Sequence, residues 1–142
     1  MKCFPSLALA FCLLSTLCYA ETASTKTSIH LEKAMPQQIA PVAHQVYFWL
    51  KNPASKEDQA KLIEGIKTLS AIEQVRGIHI GVPASTEKRD VVDNSYAVSE
   101  LLFFDNAADE HAYQIHPVHK AFVDNYSHLW SKVAVYDSVA VK

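Results

Sequence analysis

Tyr113 and His119 stand on either side of a proline-broken turn, Tyr113-Gln114-Ile115-His116-Pro117-Val118-His119, and their side chains are those of an acid–base pair. A neutral imidazole supplies a base whose pKa lies near ambient pH. A phenol supplies a donor that steadies developing negative charge, as an aldol-type closure requires. Pro117 removes an amide donor and fixes the local backbone, so a break there can turn both side chains inward. His44, on a distant segment, is the third polar group that can converge on the same apolar cleft. Each has a structural alternative. His116 and His119 can tie down backbone carbonyls at the helix break, His44 can bridge to His119 or to helix backbone, and Tyr113 can be a core residue with a hydrogen-bonded hydroxyl.

Other chemistries are excluded or disfavoured. Cys3, Cys12 and Cys18 all lie in the first twenty residues, where Lys2, the apolar run Leu7–Leu17 and Cys18-Tyr19-Ala20 have the layout of a secretory signal peptide. Residues 1–20 are therefore expected to be removed, and the protein to be exported, periplasmic or secreted. Leu17 stands where a lipidated cysteine wants a small residue, and the apolar run is shorter than the ~20 residues that span a bilayer, so no stable membrane anchor is expected. A mature chain without cysteine has no thiol nucleophile, thiolate metal site or disulfide. Seven histidines raise a metal reading through His44, His111, His116 and His119, but the spacing is weak and His111 falls opposite Tyr113 in helical phase. No metal and no cofactor are expected. There is no glycine-rich phosphate cradle, dinucleotide fingerprint or Ser-His-Asp order. A formal charge of −2 over 142 residues, without a basic stripe, excludes a dedicated nucleic-acid binder.

The elements that must position these groups read as strand, helix, strand, strand, helix, strand. Residues 21–41 lack a period and read as a flexible arm. Val42–Leu50 alternates as a strand with both faces largely covered. Ser55, with Glu57 and Asp58 behind it, starts an amphipathic helix to about Ala71. Gly77 and Gly81 flank a short strand, and Tyr96–Phe104 is a third. Asn106 and Asp109 cap a helix to about Ile115, Pro117 interrupts it, and helical spacing resumes to about Trp130. Lys132–Val141 alternates as the last strand. This order predicts an α+β, ferredoxin-like βαββαβ subunit with helices on one face of a four-stranded antiparallel sheet. Tyr47, Trp49, Leu101 and Phe103 then fall on the uncovered face, which a second copy would cover, so a homodimer is expected.

The segments Val42–Lys51, Tyr113–His119 and Trp130 to Val135-Tyr136-Asp137 resemble the stress-responsive dimeric α/β-barrel (Dabb) family. The resemblance runs from about Val42 to Val139 in a domain taken as 42–142. It implies a ferredoxin-like subunit, two sheets forming a dimeric α/β barrel, and a pocket between each sheet and its own helices. It is similar in fold and pocket motif to the plant olivetolic acid cyclase of that family, whose pocket tyrosine and histidine match Tyr113 and His119, and His44 matches a pocket histidine. Where the cyclase carries a further histidine, this chain has Val98. The family pattern also turns Glu100 toward the pocket, where a carboxylate needs a partner. Either it pairs with His44 or His119, or a bulge at Leu101-Leu102 turns it out to water.

Three functions follow as expectations. The first is binding of a small, largely apolar molecule in a cleft lined by Phe48, Val98, Glu100, Leu102, His116, Phe122 and Trp130. The second is a lyase- or cyclase-like enzyme with His119 as base, Tyr113 as donor and His44 assisting. The third is a purely structural dimerisation module. Trp49 and Trp130 read more simply as packing than as ligand stacking.

Overall fold

The computed structural model describes residues 40–141; the proposed signal peptide, and the arm up to residue 39, lie outside the described residues. The alternation at Val42–Leu50 forms strand β1, whose even-numbered residues are buried and odd-numbered residues partly exposed. Helix α1 (Lys56–Lys67) is capped by Ser55, whose hydroxyl accepts the Asp58 amide at 3.0 Å. Its expected last turn tightens into a 3₁₀ segment, Thr68–Ala71. Strands β2 (Gly77–Gly81) and β3 (Val98–Phe104) follow.

Helix α2 (Ala107–Ile115) starts at the Asn106 cap, and Pro117 opens a separate helix, α3 (Pro117–Tyr126). A proline whose absent N–H would be unpaired anyway suits the first helical position, so the break is also a new start. His116 joins the two helices and caps α3: its Nδ1 accepts the Val118 amide at 3.1 Å. Strand β4 (Trp130–Val139) begins two residues earlier than its alternation indicates. A register shift at Trp49/Leu50 pairs Trp49 with Lys132 and Leu50 with Trp130, leaving Ser131 as the extra residue.

The strands form one antiparallel sheet in the order β2-β3-β1-β4. This overturns the barrel expected as the fold class. β2 and β4 are opposite edges that do not pair, so the sheet is open, and four strands are far from the ~8 that close a barrel. The α+β, ferredoxin-like βαββαβ subunit remains. Its core joins Val42, Val46, Phe48 and Leu50 of β1 and Val98, Leu102 and Phe104 of β3 to Leu62 and Ile66 of α1, Tyr113 of α2 and Phe122 of α3. In register, Val133, Val135, Asp137 and Val139 of β4 continue that inner face. All four are exposed because β4 lies beyond the helical cover.

Helix α1 meets α3 closely at Gly65. A Cβ there would sit 2.7 Å from the Tyr126 ring, inside any van der Waals contact. Gly65→Ala should therefore lose about 1–3 kcal/mol despite alanine's better helix propensity, read as a lower urea midpoint with unchanged m-value; equal or greater stability would show that Tyr126 moves aside freely.

Candidate functional site

Two groups of titratable side chains lie on the helical side of the sheet. The inner group is packed. Tyr113 and Glu100 are each 1% exposed, and the Tyr113 hydroxyl donates to Glu100 Oε1 at 3.3 Å. The ring of Tyr113 lies 4.6 Å from that of His119 and 5.7 Å from that of His44. His119 donates from Nδ1 to the Gln114 carbonyl at 3.0 Å, which leaves Nε2 as the ring's acceptor. Burial lowers its pKa, against a smaller upward push from that carbonyl, so the imidazole is a neutral base near pH 7.

Glu100 resolves differently from either sequence alternative. The β1–β3 register runs unbroken through Leu101 and Leu102, so no bulge turns the carboxyl out. Its partner is the Tyr113 hydroxyl, not a histidine. Burial pushes its pKa up to about 7, against a weaker downward pull from the hydroxyl. Burial and the neighbouring carboxylate also push the Tyr113 phenol upward, so it stays protonated and can donate.

The residues expected to line a ligand cleft are otherwise core. Phe48, Val98, Leu102 and Phe122 are buried. The Trp130 ring stacks on Phe122 at 5.9 Å and meets Phe48 at 5.2 Å, filling the space between sheet and α3 with aromatic area. His116 stands apart as the α3 cap. Among the other histidines, His79, His111 and His128 are exposed.

The second group opens on a cavity. His44 and Asp137 are direct cross-strand partners. His44, 4% exposed, donates from Nδ1 to Asp137 Oδ1 at 2.6 Å. The carboxylate of Asp137 is half-exposed at the wall of a cavity of about 520 Å³. Pro41, Val42, Ala107 and Val139 give that wall its apolar part, and Glu110 and Asp105 add two more carboxylates. None of the ten side chains nominated from the sequence lines it. Glu110, a helical turn before Tyr113, has one oxygen held by the Gln114 amide at 2.7 Å. One imidazole nitrogen of His44 and one carboxylate oxygen each from Glu110 and Asp137 lie within 4.8 Å of one another. Asp105 is occupied elsewhere, accepting from Arg76 Nε at 2.8 Å.

Asp137 and Glu110 are the residues that reasoning from the sequence missed. Asp137 has a readable signal, since it falls in phase with Val133, Val135 and Val139 on the inward face of β4, where an acid interrupts an apolar series. Glu110 has a weaker one in its i,i+3 and i,i+4 relation to Tyr113 and Gln114. Chemically, a short imidazole–carboxylate contact at a cavity wall is an arrangement able to move a proton, and a second carboxylate close by adds another acceptor.

An open antiparallel sheet with helices on one face and an imidazole–carboxylate couple at one end defines a ferredoxin-like α+β domain with a small-molecule-sized cavity. The chain belongs to the stress responsive A/B barrel domain (Dabb) family, whose model matches residues 42–140. Among solved structures it is similar to a Dabb family protein with a ferredoxin-like fold from Mesorhizobium loti, at 26% identity and a TM-score of 0.58, covering 71% of this chain and 97% of that one. A hydroxynitrile lyase from Passiflora edulis aligns at 17% identity and a TM-score of 0.62, covering 74% and 97%. A dimeric ferredoxin-like protein of unknown function from Thermobifida fusca aligns at 16% identity and a TM-score of 0.57, covering 72% and 93%. No curated protein matches the chain. Among the described residues, no helix is long and apolar enough to cross a membrane.

The buried Glu100 makes stability depend on pH in a stated direction. Its folded pKa of about 7 lies above its ordinary 4.5. The neutral carboxyl's contribution is therefore whole below about pH 4.5, declines above it, and is gone once pH passes about 7. Wild-type protein should lose on the order of 3 kcal/mol across that window from this group, seen in urea unfolding at stepped pH. Glu100→Gln should remove most of that slope, and an unchanged slope would assign it to other groups.

Proposed function

We propose that this protein is an acid–base enzyme of the lyase or cyclase type, acting on a small, largely apolar molecule with a polar end held in the cavity beside β4. The observation that carries the proposal is the 2.6 Å His44–Asp137 couple at the wall of that cavity, with Glu110 across from it. The buried imidazole and the half-exposed carboxylate act as a unit. Asp137 takes a proton from a substrate hydroxyl or activated carbon on the carboxylate oxygen that His44 does not engage, the Nδ1–H of His44 holds the carboxyl in place through the other oxygen, and Asp137 returns the proton to the leaving or newly formed anion. The apolar walls accept the rest of the substrate, and the acidic rim favours a neutral or cationic polar end over an anionic one. That the Passiflora edulis protein of this fold is a hydroxynitrile lyase makes carbon–carbon cleavage by proton transfer a reaction class to test first.

The inner pair nominated from the sequence, His119 as base and Tyr113 as donor after the manner of olivetolic acid cyclase, is the second reading. The free Nε2 of a neutral His119 favours it, and the burial of the Tyr113 hydroxyl against Glu100 weighs against it. Binding without turnover and a purely structural role rank below both, because neither needs the couple. The working unit we propose is a homodimer. Tyr47, Trp49, Leu101 and Phe103 remain partly exposed on the sheet face away from the helices, and the Thermobifida fusca neighbour is described as dimeric. The proposal also places the mature protein outside the cytoplasm, with Glu21 as its first residue.

Turnover of a panel of small aromatic cyanohydrins and β-hydroxyketones, followed as carbonyl release, separates these readings. Wild type should act on at least one member. Asp137→Asn should lower kcat by roughly 10²–10⁴-fold with little change in KM, and His119→Ala should stay near wild type. The reverse pattern would move the chemistry to the inner pair. No turnover by wild-type dimer on any member would count against catalysis and return the cavity to a binding role.

A further inference from the structure

We infer that His44, Glu110 and Asp137 form a binding site for one divalent first-row transition ion, of which zinc fits the donor set best. The inference uses the same three side chains as the reading above but not their catalytic role. Each donor comes from a different element: His44 from β1, Asp137 from its register partner on β4, and Glu110 from α2. The strand register holds two of the three beside each other. The third sits on the partly exposed face of α2, with one carboxylate oxygen held by Gln114.

The distances suit an ion of this size. Oxygen and imidazole ligands at ~2.1 Å from zinc stand ~3.4 Å apart in tetrahedral geometry. The three donor atoms now lie within 4.8 Å of one another, with His44 and Asp137 at 2.6 Å. Opening the His44–Asp137 contact slightly and drawing Glu110 inward brings all three to a common centre, while the cavity beside them has room for a water as fourth ligand. Charge points the same way. Two carboxylates share the site with one imidazole, and among the described residues no lysine or arginine lines the cavity, so a dication would meet negative charge there. The remaining wall carboxylate, Asp105, is neutralised by Arg76 and is not in the set.

Support around the donors completes the site. The Gln114 amide holds one Glu110 oxygen at 2.7 Å, the kind of outer contact that orients metal-ligating carboxylates, and among the described residues the other oxygen has no hydrogen-bond partner. His44 is wedged between the edges of Phe104 and Tyr113, with ring centroids at 6.4 and 5.7 Å, which fixes the plane of its imidazole. When Nδ1 ligates, the ring carries its single proton on Nε2 and stays neutral. An imidazole in the set selects zinc, cobalt or nickel over magnesium and calcium, which take oxygen ligands.

Cobalt(II) titration of the chelator-stripped full chain tests this, because cobalt adopts zinc-like sites and shows visible ligand-field bands there. One equivalent of Co²⁺ per chain should generate the bands, Zn²⁺ should displace it, and equal Mg²⁺ should not. Glu110→Gln should weaken Co²⁺ affinity at least tenfold, while its unfolding transition matches wild type because residue 110 lies on the partly exposed face of α2. Asp137→Asn should do the same or more. Absence of bands at millimolar Co²⁺ would overturn the site. So would a titration identical in wild type, Glu110→Gln and Asp137→Asn, since the ion would then be held by other histidines. The spectrum is read without turnover, so a failed lyase assay leaves this test standing, and a failed titration leaves the lyase assay standing.

Discussion

The pairing of β4 alongside β1 in one register is the constraint on which the rest depends. That register sets His44 directly opposite Asp137 and turns both toward the helical side of the sheet. A slip of one residue would send Asp137 to the other face and leave a nearly buried imidazole without its acceptor. The extra residue at Ser131 adjusts this pairing at its far end: the Ser131 hydroxyl donates to the Trp49 carbonyl at 3.1 Å, and Leu50 pairs with Trp130. A bulge that looks like an irregularity at one end of β4 therefore decides the company of the catalytic candidate at the other.

The same sheet position explains why the couple is wet on one side and dry on the other. β1 is central and roofed by α2 and α3, so His44 is buried. β4 is an edge beyond the roof, so Asp137 is half-exposed. A proton-transfer couple needs both conditions. The buried partner is protected from competing water, and the exposed partner reaches a ligand. The inner group lacks that combination, because the Tyr113–Glu100 pair is closed in on every side.

Much of the fold was legible because its signals are local. The alternation of Val42–Leu50, the Ser55 and Asn106 caps, and Pro117 at the first turn of α3 each act within a few residues. Closure of the sheet is not local: whether two edges meet depends on strand number and shear, which no segment encodes, and the resemblance to a barrel-named family implies a closure that the unpaired edges of β2 and β4 overturn. The candidate site divides the same way. His44, Tyr113, His119 and Glu100 could be nominated from residue type and phase. That Phe48, Phe122 and Trp130 fill their own volume instead of lining a cleft depends on how three distant rings stack. The role of Asp137 depends on which strand β4 chooses as neighbour.

The central claim is that in the metal-free chain His44 holds its Nδ1 proton on Asp137 at the edge of the cavity, and its most direct measurement is the imidazole proton spectrum of chelator-stripped, ¹⁵N-histidine-labelled protein. The account predicts a strongly downfield, slowly exchanging ring proton on His44 Nδ1 that disappears in Asp137→Asn while the His119 ring signals persist. A His44 ring proton at an ordinary shift in fast exchange with water, or one indifferent to residue 137, would contradict it.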